Sequence, residues 1–140
     1  MYRLVKAGMV LAILVLTVAG GCGGSNDEIT VSGQVTIDGA PIPTGVISFV
    51  DTDPSVAAGG GPIKDGQYTA TVTAGDKVVT VLGNKLVGQE PEYEDVPDSP
   101  MRDKYEMITP PDYNAAHLSP LKATITGPQD DLDFDLDSSL

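Results

Sequence analysis

Cys22 is the sole cysteine of the 140 residues, and its surroundings give it a chemistry. Gly20 and Gly21 precede it, Gly23, Gly24 and Ser25 follow, and an apolar run over residues 7–19 lies upstream. A thiol after small residues at the end of such a run is the acyl acceptor of a lipobox-type site, where it becomes the mature N-terminus. The usual pattern has Leu three residues before the cysteine; here Ala19 stands there, with Val18 one residue earlier. The same residues also read as a plain signal-peptidase site around 19–21, or as an uncleaved anchor. Lipidation has a large physical effect. Each buried methylene adds about 0.8 kcal/mol of membrane affinity, and more than one acyl chain is needed for stable anchoring.

Four other sets of residues have types that could do chemistry. Asp130, Asp131, Asp133, Asp135 and Asp137 form the densest charge cluster. Carboxylate oxygens at alternating positions suit a Ca²⁺ site, with Asp131, Asp133 and Asp135 as candidates. Their alternation with Leu132, Phe134 and Leu136 equally describes the wet face of an edge strand, where charge discourages aggregation. Asp51 and Asp53 flank a loop and read as turn chemistry. His117 is the sole histidine, so a zinc site would lack its usual nitrogen and sulfur donors. A Ser-His-Asp arrangement would have to recruit this residue from a proline-rich segment. Tyr93, Tyr105 and Tyr113 lie together with Met101, Met107 and Ile108 in one stretch. Aromatic and methionine side chains favour interfaces, so these tyrosines are binding candidates; packing back over the fold as a lid is the competing expectation. The triplet Gly59, Gly60 and Gly61 is followed by Pro62 rather than a helix start, so it does not form a phosphate loop.

The elements that must position these groups begin after the leader. Arg3 and Lys6 precede about 13 apolar residues, a basic start and short apolar core that match a secretory signal over 1–21. The run is shorter than the roughly 20 residues of a membrane span. Residues 22–28 are expected to be the lipidated cysteine and a linker. The leader holds two of the eight basic residues and none of the twenty acidic ones; the remainder carries six against twenty, a formal charge of −14. Such a chain repels nucleic acid and anionic headgroups. Without tryptophan, and rich in Gly, Pro and Thr, it favours short strands and turns over helices.

Residues 29–37 alternate, with Ile29, Val31, Val35 and Ile37 on one side, a half-buried strand of period two. Asp38-Gly39 and Asp65-Gly66 are tight-turn signals, and Pro41 and Pro43 disfavour a ladder just after the first of them. Further strands are expected at 46–50, 62–64, 67–73 and 77–82, with a loop at 51–61. Residues 83–120 hold six prolines and no sustained period, so one long loop is predicted there, with a turn or two of helix near 102–108. Strands resume at 121–126 and 132–136. The expectation is an all-β fold: a single antiparallel β-sandwich of about seven short strands over 29–137, with a tail at 138–140.

The order of these runs carries a resemblance. Residues 31–43, 45–50, 65–68 and 75–81 are similar to the opening strands and turns of carboxypeptidase regulatory-like domains, a transthyretin-like or prealbumin-like sandwich. Residues 111–114, 119–125 and 133–136 resemble the ending of short lipoproteins abundant in planctomycete bacteria. The resemblance implies a fold and a location rather than an activity. Related adhesin modules form Lys–Asn isopeptide bonds, but here the first strand has no Lys and the last has no Asn. The reading is therefore a non-catalytic cell-envelope lipoprotein: exported, membrane-anchored outside the cytoplasm, and presenting loops to a protein or surface partner. No cofactor and no nucleic acid are expected. A small-ligand or calcium-binding lipoprotein is the alternative, and a hydrolase comes third.

Overall fold

A computed structural model describes residues 27–140; the leader expected over 1–21 and Cys22 lie outside them. The elements in chain order are β1 (Ile29–Ile37), β2 (Ala40–Pro41), β3 (Thr44–Asp51), β4 (Gly59–Lys64), β5 (Gln67–Val72) and β6 (Gly75–Pro91), then β7 (Met101–Met107), α1 (Pro111–Asn114), β8 (Lys122–Ile125) and β9 (Phe134–Leu136). The strands run β2-β1-β5-β4-β3-β6-β7 across one curled sheet, with β8 on β6 and β9 on β1. The result is an all-β, sandwich-like fold.

Period two sets the faces. β5 buries Tyr68, Ala70 and Val72 and exposes Gln67, Thr69 and Thr71. β3 buries Ile47 and Phe49, and β6 buries Val79 and Val81 opposite them. The rings of Phe49, Tyr68 and Phe134 meet at the centre, with centroids 6.1 to 6.4 Å apart. Tilted and edge contacts of this kind suit the aromatic quadrupole. The two Asp-Gly turns form as expected. Asp38 and Gly39 have φ of 50° and 82°, and Asp65 and Gly66 have 51° and 76°. Two successive positive φ values match the right-handed strand twist, and Asp followed by Gly tolerates them best. Ala40 and Pro41 pair with β1 across the first turn, so Pro41 sits in a two-residue edge strand after all.

β1 changes partners along its length, and this folds the sheet over. Residues 29–34 pair with β5, whereas Val35, Thr36 and Ile37 pair with β9. At the changeover the backbone of 129–133 comes in close: Leu132 N donates to Ser32 O at 3.0 Å, and Ser32 N to Gln129 O at 2.8 Å. A Cβ on Gly33 would collide with the Leu132 carbonyl, so only glycine admits this approach.

Three sequence expectations are corrected. The last strand is parallel to β1, not antiparallel. The chain returns from the far side of the fold by the long path through α1 and β8, and so arrives running in the direction of β1. The 51–61 loop ends early, because Gly59, Gly60 and Gly61 pair with β3 as part of β4. Most importantly, residues 83–120 are not one long loop. β6 continues to Pro91, and Arg102 lies in strand β7 rather than in a helix. A strand exposed on both faces needs no run of buried positions, and the expected period was therefore missing.

Candidate functional site

β6 pairs with β3 along one edge over Lys77 to Asn84. Its other edge carries β8 over Gly75 to Val78 and β7 from Asn84 onward. Between these two partners, residues 108–121 complete the ladder with two backbone groups and two side-chain hydroxyls. Ile108 N donates to Gly83 O at 2.9 Å, and Gly83 N donates to Thr109 Oγ1 at 3.1 Å. The Ser119 hydroxyl donates to Val79 O at 2.5 Å, and Val79 N donates to Leu121 O at 2.9 Å. Thr109 and Ser119 are thus buried hydroxyls with their hydrogen-bonding needs met. α1 begins with Pro111 and sinks Tyr113 into the core, where the tyrosine oxygen accepts from Asp137 N at 2.9 Å.

Beyond Asn84, β6 and β7 leave the sandwich as a two-stranded ribbon. Every residue of β7 is exposed. Residues paired across a ladder share a face. Asn84–Met107, Leu86–Tyr105, Gln89–Asp103 and Pro91–Met101 lie on one face, and Lys85–Glu106, Gly88–Lys104 and Glu90–Arg102 on the other. A bulge at Val87 re-aims β6 between Leu86 and Gly88. On the first face Met101, 56% exposed, lies at the far end beyond the polar Gln89–Asp103 pair, and Leu86, Tyr105 and Met107, 51%, 53% and 51% exposed, form an uncovered apolar patch next to the sandwich. It continues onto the sandwich through the exposed pair Val46–Leu82. The second face is an ionic clamp. Arg102 Nη2 and Nε reach Glu90 Oε1 at 2.8 and 3.1 Å, and Lys104 Nζ lies 3.4 Å from Glu90 Oε2. Hydrogen bonds from Arg102, then Lys104, hold the Glu90 carboxyl below its ordinary pKa. At the tip, Glu92 N donates to Pro100 O at 2.8 Å and Tyr93 N to Ser99 Oγ at 2.9 Å; Asp95 and Asp98 both take positive φ.

The tyrosines expected to act together are therefore separated. Tyr93 and Tyr105 stand on the ribbon, exposed, whereas Tyr113 is a core residue. The lid expectation fails for the first two. The signal that could have found the ribbon was present in β7, where Met101, Tyr105 and Met107 fall on alternate positions among charges.

The calcium candidates are built into the fold. Asp133 Oδ1 accepts from Gln34 N at 2.7 Å, and Asp135 Oδ1 from the Thr36 hydroxyl at 2.7 Å and Gly39 N at 3.2 Å. These carboxylates strap the C-terminal segment to β1; they do not converge on a cation with Asp131. No group of three or more His, Cys, Asp or Glu among the described residues could hold a metal. An open hollow of about 630 Å³ lies over β1, β4 and β5, rimmed by Lys64, Asp65, Asp130, Asp131 and Asp133. The Tyr68 hydroxyl beside it donates to Leu132 O at 2.6 Å; burial, then the Asp133 charge, push its pKa well up.

Asp51 does more than turn chemistry. Its Oδ1 accepts from Asp53 N at 2.7 Å, and its Oδ2 lies 2.5 Å from Lys77 Nζ, which also donates to Thr73 Oγ1 at 2.8 Å. The Lys77 side chain is almost wholly buried, and the hydrogen bond it donates holds the Asp51 carboxyl below its ordinary pKa. Sequence reading missed this pair because Lys77 occupies an inward position of an apolar strand. His117 is exposed, in the turn after α1. Cys22 lies outside the described residues.

No family model matches the chain, and no curated protein matches it. Among solved structures it is similar to a 9R-lipoxygenase from Cyanothece PCC8801, at 11% identity and a TM-score of 0.41, over 83% of this chain and 17% of that one. The chain thus spans a small fraction of the lipoxygenase's length, and a likeness this slight carries no argument. Among the described residues no helix is long and apolar enough to cross a membrane.

Proposed function

We propose that the chain is a non-catalytic cell-envelope lipoprotein, a structural or adhesive module that holds out a β-ribbon to a protein partner. One observation carries the reading. The ribbon of β6 and β7 projects from a well-packed sandwich with an apolar patch, Leu86, Tyr105 and Met107, open to solvent. Contiguous exposed apolar surface of this kind marks interaction sites. The rigid sandwich, carrying the carboxypeptidase regulatory-like resemblance, is the scaffold. Cys22, acylated at the end of the leader, anchors the module outside the cytoplasm, with residues 22–28 as spacer. Nothing in the reading requires a cofactor.

The experiment joins both parts. Cells carrying wild type, Cys22→Ser or a Leu86→Ser/Tyr105→Ser variant are cross-linked and fractionated. The cysteine variant is expected in the soluble fraction. The ribbon variant is expected to stay on membranes but to lose the cross-linked adduct of wild type. Membrane retention of Cys22→Ser equal to wild type overturns the anchor, and unchanged adducts in the ribbon variant overturn the docking role.

A further inference from the structure

The outer edge of β7 carries no strand among the described residues. Its backbone polarity follows from the bonds at its ends. Ile108 N donates to Gly83 O, and Pro100 O accepts from Glu92 N, so the even-numbered residues of this strand bond toward β6. In an antiparallel ladder the direction alternates residue by residue. Met101, Asp103, Tyr105 and Met107 therefore turn their N–H and C=O groups away from the molecule.

Such an edge is a template for another strand, and most proteins blunt it with charge. Here the charges are arranged to match themselves. Read from either end, Met101–Met107 begins and ends in methionine, with Arg102 one place in from the first and Glu106 one place in from the last. We propose that β7 pairs edge to edge with β7 of a second copy, antiparallel about a two-fold axis at Lys104. That register sets Met101 against Met107, Arg102 against Glu106 and Asp103 against Tyr105, each twice. It also places all the outward residues in hydrogen-bonded pairs. Opposite charges directly across a ladder are favourable, and like charges are not. The two Lys104 side chains meet at the axis, and each has Glu90, shared with Arg102, at 3.4 Å, which offsets part of their repulsion. The joined ribbons make a four-stranded sheet with the Leu86–Tyr105 face on one side, a more stable unit than an isolated two-stranded hairpin. Net charge opposes association at low salt and is screened beyond about 8 Å at physiological ionic strength. The inference concerns the edge and does not rest on what the apolar face binds.

The test is sedimentation of the full chain in mild detergent at physiological salt. Wild type is expected to be a dimer. Arg102→Glu and Glu106→Arg each place like charges across the ladder twice and are expected to weaken the dimer by about tenfold or more. Mixing these two variants restores opposite charges at both pairs, as does the Arg102→Glu/Glu106→Arg double variant, and both are expected to recover the dimer. Recovery by mixing also shows that neither single variant is misfolded. A monomeric wild type, single variants that dimerise as wild type does, or a mixture that stays monomeric each overturns the pairing. Loss of dimerisation with cross-linked adducts retained would leave the docking role standing.

Discussion

β6 is one continuous strand in two environments. From Lys77 to Gly83 it lies between partners on both edges, and Lys77, Val79, Val81 and Gly83 face a closed core. From Asn84 onward it has β7 alone, and after Asn84 both of its faces are wet. Strand pairing carries on past Asn84, interrupted only by the bulge at Val87; the burial does not. The difference teaches that pairing geometry and apolar burial are separable. The first half is held by hydrophobic area, about 25 cal/mol per Å² removed from water. The second is held by its ladder, an Arg–Glu–Lys clamp and its root in the sandwich.

The sharpest way to break the comparison is to cut side chains from each half's surroundings. Phe134→Ala removes one of three mutually packed rings and is expected to cost about 3–5 kcal/mol in urea unfolding. Leu86→Ala, on the ribbon, should change stability by no more than about 0.5 kcal/mol. Comparable losses would mean that the ribbon packs on something. Gly33→Ala comes next. The added methyl meets the Leu132 carbonyl, and overpacking of this kind costs about 1–3 kcal/mol. A neutral result would show that β1 is not pinched where it changes partners.

Acid separates the halves by another route. Asp51 and Glu90 both have lowered pKa values, Asp51 chiefly through the hydrogen bond from Lys77 and Glu90 chiefly through that from Arg102. A carboxyl depressed in the folded state stabilises fully above its unfolded value, 3.8 for Asp and 4.5 for Glu. That contribution fades as pH falls through the lower folded value. For Asp51 the loss should be global and appear in Tm, and Asp51→Asn should lower Tm at neutral pH and flatten its acid slope. For Glu90 the loss should be local, seen in ribbon amide exchange with Tm unmoved. An equal effect of Glu90→Gln on Tm would contradict the separation. Replacing residues 88–104 by a two-residue Asn-Gly turn removes the ribbon and leaves the core as it is. Tm should shift by no more than a few degrees, and the earliest proteolytic cut of wild type, expected at the 92–100 tip, should vanish. First cuts between Thr109 and Ser119, whose side chains complete the β6 ladder, would reverse the assignment.

Much of the sandwich was legible because one buried face prints its period on the chain: 29–37, 67–73 and 132–136 could be read directly. The two Asp-Gly turns were legible because few residues accept consecutive positive φ. The ribbon was not, since exposure on both faces leaves no burial pattern and the bulge at Val87 disrupts β6; only Met101, Tyr105 and Met107 of β7 keep an alternation. The aspartates of 131–137 were legible as an outward row, but not as straps. Their partners, Gln34, Thr36 and Gly39, lie about a hundred residues away in the chain, and nothing local records that.

The amino-acid sequence by itself determined which positions of the sandwich strands face inward and where the tight turns fall, because side-chain alternation and φ preference are local properties. Tertiary structure alone decided which strands became neighbours. It set β9 parallel to β1, brought Lys77 to Asp51, and sent Tyr113 inward while Tyr93 and Tyr105 went out on the ribbon. Those outcomes depend on which ladder each segment joins, and that is settled by the global competition to bury apolar area rather than by residues near at hand.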